Sequence, residues 1–90
     1  DSVLYAGDSY ALLFENRKIV AIAGFKINKR VTSDAVLLSK GIDNFIMNYG
    51  NDDLKIITAG NHKAYIYKKT GIAVFDDNND NIIDMYIIFN

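Results

Sequence analysis

Along most of the chain, short apolar runs alternate with turn residues. Val3 to Ala6 ends at Gly7-Asp8, and Tyr10 to Phe14 is followed by Asn16-Arg17. Ile19 to Ile27 is longer and rich in β-branched and aromatic residues, interrupted by Gly24, a position suited to a bulge or a close approach. Three such runs joined by tight turns predict an antiparallel meander.

The pattern then changes. Thr32 or Ser33 offers an N-cap, Asp34 to Lys40 can form a short helix, and Gly41 closes it. Ala35-Val36-Leu37-Leu38 fits a strand equally well. From Asp43 to Tyr49 the apolar residues Phe45, Ile46 and Tyr49 recur at helical spacing, and Gly50 supplies the stop. Helices this short are marginal in water, so each must rest an apolar face on a sheet.

After Gly50 strand signals return at Leu54 to Thr58, Ala64 to Lys68, Gly71 to Phe75 and Ile82 to Phe89. Their connections are rich in Gly, Asn, Asp and Thr. The fold class expected is α+β: an antiparallel sheet of about seven strands in chain order βββ-αα-ββββ, with a helical segment packed on one face. Residues 1–31 form the first meander and residues 32–90 the helical segment with four further strands, within a single domain. The expected core comprises Leu12, Phe14, Ile19, Ile22, Phe45, Ile46, Ile57, Val74, Ile83 and Ile87.

Composition narrows the function. Among 90 residues there is no Cys, which removes disulfides, thiolate metal sites and cysteine nucleophiles. No apolar run approaches the roughly 20 residues that a membrane-spanning helix needs. No basic n-region with an apolar h-region opens the chain at Asp1. The formal net charge is −1, but every Lys and Arg lies at or before Lys69, while Asp76, Asp77, Asp80 and Asp84 follow. That stretch is locally anionic, attracts cations and repels nucleic acid.

The segment from Phe75 to Asp84 carries the most chemistry. Asp76, Asn78, Asp80 and Asp84 place oxygen ligands at alternating positions of a turn, as a hard cation requires. Their spacing resembles the calcium hairpin of the integrin-type repeat, Asp-x-Asn-x-Asp-Gly-x-x-Asp, with Asn81 in place of the Gly. That resemblance implies calcium on these side chains and on a carbonyl near Ile82. An EF-hand fits less well, because Ile87 stands where the bidentate Glu would be. A solvated turn rich in Asp and Asn accounts for the same residues without an ion. No cofactor is required on this reading, and calcium is the candidate ion.

The same segment echoes an earlier one. Leu13-Phe14-Glu15-Asn16 aligns with Val74-Phe75-Asp76-Asp77, after which Ile19, Ile22 and Phe25 fall on Ile82, Met85 and Ile88 if the later loop is two residues longer. The alignment suggests the tail of one repeat followed by a complete helix-plus-four-strand repeat. Any two hairpins with an aromatic before the turn would align comparably.

Lys40 to Gly50, followed by four strands ending in an apolar-Phe-Asp-turn-Ile hairpin, resembles a bacterial envelope repeat. It is the repeat of the β-lactamase-inhibitor-protein-like group and of small outer-membrane-assembly lipoproteins. The resemblance covers roughly residues 40–89. It departs in a shorter Gly41-to-Phe45 gap and in lacking the proline after the closing Gly. It implies a non-enzymatic protein-binding module, an inhibitor or a cell-envelope accessory domain of a bacterial or phage protein, outside the cytoplasm. The contact aromatics would be Tyr10, Tyr65, Tyr67 and Tyr86, since tyrosine is favoured at binding hot spots. A homo-oligomer through a sheet edge is a further expectation.

Catalytic signals are weak. His62, the only histidine, lies in a turn-like sequence, and the paired acids Asp52-Asp53 and Asp76-Asp77 read as solvated caps. The basic cluster Arg17, Lys18, Lys26, Lys29 and Arg30 reads as a solubilising strand edge rather than a nucleic-acid surface.

Overall fold

A computed structural model describes residues 2–25, 32 and 36–90. The elements run in chain order β1 (Ser2–Ala6), β2 (Tyr10–Glu15), β3 (Lys18–Gly24), a 3-10 turn (Leu38–Lys40), α1 (Ile42–Tyr49), β4 (Leu54–Ala59), β5 (His62–Tyr67), β6 (Ile72–Asp76) and β7 (Met85–Phe89). The strands form one seven-stranded sheet in spatial order β1-β2-β3-β7-β6-β5-β4, antiparallel at every pairing. The α+β class with an antiparallel sheet is therefore present. In place of two helices, the described residues hold one α-helix and a 3-10 turn; residues 34–35 of the first expected helix, and its cap candidate Ser33, lie outside the described set.

Local chemistry explains the boundaries. The β2–β3 hairpin closes on Asn16 and Arg17, both left-handed at φ 52° and 68°, with Glu15 opposite Lys18. Two successive positive φ values give the backbone twist that antiparallel strands need at a two-residue turn. The strand expected to reach Ile27 ends at Gly24, which must stay bare because a Cβ there would overlap the Tyr86 ring. The last strand, expected from Ile82, begins at Met85, because Ile83 (1% exposed) leaves the sheet to enter the core.

Pairing register assigns the faces, since directly opposed residues share one. Tyr67, Ile72, Ile88, Ile22, Leu12 and Tyr5 form a continuous cross-strand row. This row belongs to the face on which α1 sits. Ile42, Phe45 and the partly buried Ile46 and Tyr49 of α1 join Tyr65, Tyr67, Ile72, Val74, Ile83 and Tyr86 in the core. Phe45, Tyr49 and Tyr67 make a ring cluster with centroids 4.7–5.6 Å apart. The opposite face carries the row Ile66, Ala73, Ile87, Ala23 and Ala11, and no helix among the described residues lies across it.

Two expected core residues are corrected. Ile57 is 47% exposed because register places it on the face away from α1, and Ile19 is 45% exposed beside the β2–β3 turn, beyond the reach of the helix. Phe45, Val74 and Ile83 are core as expected, and Leu12, Phe14, Ile22, Ile46 and Ile87 are half-buried. The internal echo also fails at the level of faces. Leu13 and Phe14 lie on opposite faces from Val74 and Phe75, with which they align, as does Ile22 from Met85. A repeat in that register would keep each pair on one face.

Candidate functional site

The loop after β6 is organised around one carboxylate. Asp76 is 2% exposed and accepts backbone N–H groups from Asn78 (3.2 Å), Asp80 (3.1 Å) and Asn81 (2.8 Å). Burial by itself would raise its pKa; the N–H donors of Asp80, Asn81 and Asn78, with the Asp80 side chain, outweigh it and hold the carboxyl below its ordinary value. Around it, Asp84 Oδ2 accepts the Asp77 N–H at 2.7 Å, and Asp80 Oδ1 accepts the Ile82 N–H at 3.1 Å. Asn79 and Asn81 take left-handed conformations at φ 55° and 67°, which asparagine tolerates better than most residues.

This loop also starts the helix. Gly41 precedes α1 and has no side chain with which to cap it. Asn81 supplies the cap from outside: its carbonyl accepts the Ile42 N–H at 2.9 Å and its Oδ1 accepts the Asp43 N–H at 3.0 Å. The contact is close enough that a Cβ on Gly41, itself at φ 94°, would lie 2.6 Å from the Asn81 carbonyl oxygen. Asp43 in the first turn adds a favourable charge at the positive end of the helix.

Helix and loop together frame a cleft of about 410 Å³ lined by Ile42, Asp43, Ile46, Tyr65, Asp76 and Asn79 to Asn81. Of the expected ligands, Asp76, Asp80 and Asp84 bring carboxylate oxygens within 4.8 Å of one another. Asn78 enters the arrangement through its backbone N–H.

The expected contact aromatics divide. Tyr10 is 38% exposed, whereas Tyr65, Tyr67 and Tyr86 are buried at 8%, 1% and 7%. Register aims all three at the face beneath α1, so they pack rather than present themselves. Tyr67 donates its hydroxyl to the Gly50 carbonyl at 2.6 Å, tying β5 to the helix C-terminus. Burial raises the pKa of Tyr65 and Tyr67; Asp76 and then Asp43 add to the effect at Tyr65, and Asp53 adds to it at Tyr67. His62 Nδ1 lies 3.3 Å from Asp77 Oδ1, both well exposed, as a solvated surface pair. Lys26, Lys29 and Arg30 of the basic cluster lie outside the described residues; Arg17 and Lys18 sit exposed at the β2–β3 turn.

Sequence reasoning missed Asn81 as the external cap and Asp43 and Tyr65 as cleft residues. The signal for the first was a helix preceded by Gly, with no cap of its own, in a chain with an Asn-rich loop elsewhere. Compared with protein-family models, curated proteins and solved structures, the chain matches none of them.

Proposed function

We propose that this domain is a non-enzymatic protein-binding module of a bacterial or phage protein, an inhibitor or an envelope accessory domain acting outside the cytoplasm, and that β1 with its flank is its contact surface. One observation carries the reading. β1 is an outer strand exposed along its whole length, and Val3, Leu4 and Tyr5 are 55%, 68% and 58% exposed. It contains no Pro and no Lys or other charged residue, the usual devices that keep a free edge from pairing. Such an edge accepts a strand from another chain, and Tyr5 and Tyr10 beside it offer aromatic anchors. The envelope-repeat resemblance of residues 40–89 agrees with this role.

The test compares the native domain with Leu4→Lys and Tyr5→Lys in affinity capture from host lysate and in light scattering. Loss of a specific captured protein, or of self-association, at an unchanged melting temperature supports the assignment. Capture and mass that are identical in all three proteins refute it.

A second reading, a calcium-stabilised extracellular domain, is favoured by the convergence of Asp76, Asp80 and Asp84. Binding to the native state alone raises the melting temperature with ligand concentration. Millimolar calcium should then stabilise the native domain and leave Asp80→Ala unmoved; an equal response in both removes this reading.

A further inference from the structure

The cleft between the start of α1 and the β6–β7 loop has features that neither β1 nor a metal accounts for. Its size falls within the roughly 300–1,000 Å³ of small-ligand sites. One wall is apolar, formed by Ile42 and Ile46, and among the described residues no lysine or arginine lines it. Tyr65 contributes a side chain from β5 that is more than nine-tenths buried. Its hydroxyl has no hydrogen-bond partner among the described residues, and no sealed side-chain polar atom there is left unsatisfied, so this oxygen opens onto the cleft. The ring is buried while its hydroxyl stays open, so that oxygen is available to water or to a ligand.

The three acids around it differ. Asp76 is engaged by three backbone N–H groups and acts through its charge. Asp80 keeps one oxygen free of backbone donors, and Asp43 sits exposed at the rim. We propose that this cleft binds a primary ammonium group on an aliphatic stem, as a lysine side chain or a small alkylamine presents it.

The acids among the described lining residues favour a cation over an anion. A hydrated metal ion would gain nothing from Ile42, Ile46 and the tyrosine ring, whereas a methylene stem buries against all three. An ammonium has three diverging donors, which suit acceptors on three separate elements: Tyr65 Oη on β5, Asp43 on α1 and Asp80 on the loop. A guanidinium needs a planar, bidentate partner, and these acceptors come from three different segments.

The inference is independent of β1 and is tested with ligand alone. Amide spectra of ¹⁵N-labelled protein are followed during titration with butylammonium, Nα-acetyl-lysine methylamide, its Nε-acetylated form and calcium chloride. Saturable shifts at Asp43, Asp80 and Asn81 are expected with both amines, at a dissociation constant on the order of millimolar. Acetylation of the ε-nitrogen should weaken binding at least about tenfold, and Tyr65→Phe or Asp43→Asn should each weaken it about five- to tenfold. Tyr65→Phe should leave the melting temperature unchanged, since the hydroxyl has no internal partner. A lysine-bearing peptide that binds more than about tenfold tighter than butylammonium identifies the source as a partner protein, and equal affinities identify a free amine. Absence of saturable amine shifts, equal response to the acetylated form, binding undiminished in both variants, or calcium alone reproducing the shifts overturns the proposal. Tyr5→Lys leaves these titrations unchanged, so failure of the β1 surface and failure of the cleft remain distinct results.

Discussion

The two halves of the sheet are built from the same kinds of residue and differ in what lies over them. On the face shared with α1, β5 to β7 contribute Tyr65, Tyr67, Ile72, Val74 and Tyr86, all below 9% exposure, and only Ile88 of β7, next to β3, is open at 42%. The same face of β1 to β3 contributes Val3, Tyr5, Tyr10, Leu12, Phe14 and Ile22, of which the first three are exposed and the others half-buried. Burial here is decided by the position of one eight-residue helix, not by side-chain type. The covered half is where stability should reside, and the open half is where surface is available for association.

The largest test strikes the covered half. Phe45→Ala removes the ring at the centre of the Phe45–Tyr49–Tyr67 cluster and should cost about 3–5 kcal/mol, seen as a lower denaturant midpoint. Next comes Asp76→Ala, which leaves three backbone donors without their acceptor and should cost about 2–3 kcal/mol. Its conservative partner, Asp76→Asn, sharpens the point through pH. The folded carboxyl titrates below its ordinary value near 3.8, so its stabilisation is fully present above that pH and disappears as pH falls through the folded value. Acid titration of Asp76→Asn should lack this portion of the native protein's loss, and a superimposable acid limb would show that Asp76 is not the group responsible.

Smaller effects separate the tyrosines. Tyr67→Phe breaks the bond to Gly50 and should cost about 1 kcal/mol. In the open half, Leu4→Lys should change stability by less than about 0.5 kcal/mol. Amide exchange makes the same comparison without mutation: β5 and β6 should exchange near the global unfolding rate and β1 much faster. Equal protection across both halves would mean that something also covers β1 to β3.

How much of this was legible in the sequence follows from where the information sits. Strand positions and the helix from Asp43 to Tyr49 were readable because turn residues and apolar spacing are local. Phe45, Val74 and Ile83 could be assigned to the core on the same basis. The tyrosines could not be sorted, because Tyr65-Ile66-Tyr67 is apolar on both faces and alternation does not say which face α1 will cover. That choice depends on register with Val74 and Ile72, which no local pattern specifies. The echo of Phe14 in Phe75 misled for a related reason: a shared aromatic before a turn does not fix the face. In the acidic loop the sequence displayed side-chain oxygens and suggested a cation. The structure shows Asp76 holding the loop's own N–H groups, a use of the same oxygens that only the folded backbone discloses.

The cap on α1 has a consequence for the order in which the protein can be made. Asn81 lies 38 residues after the amide it receives at Asp43. The amides at the start of α1 are therefore synthesised before the residue that caps them. Until the last hairpin is synthesised and folds back, those residues can hold helix only transiently. A truncation that removed the β6–β7 loop and β7 would therefore leave an uncapped helix as well as an incomplete sheet.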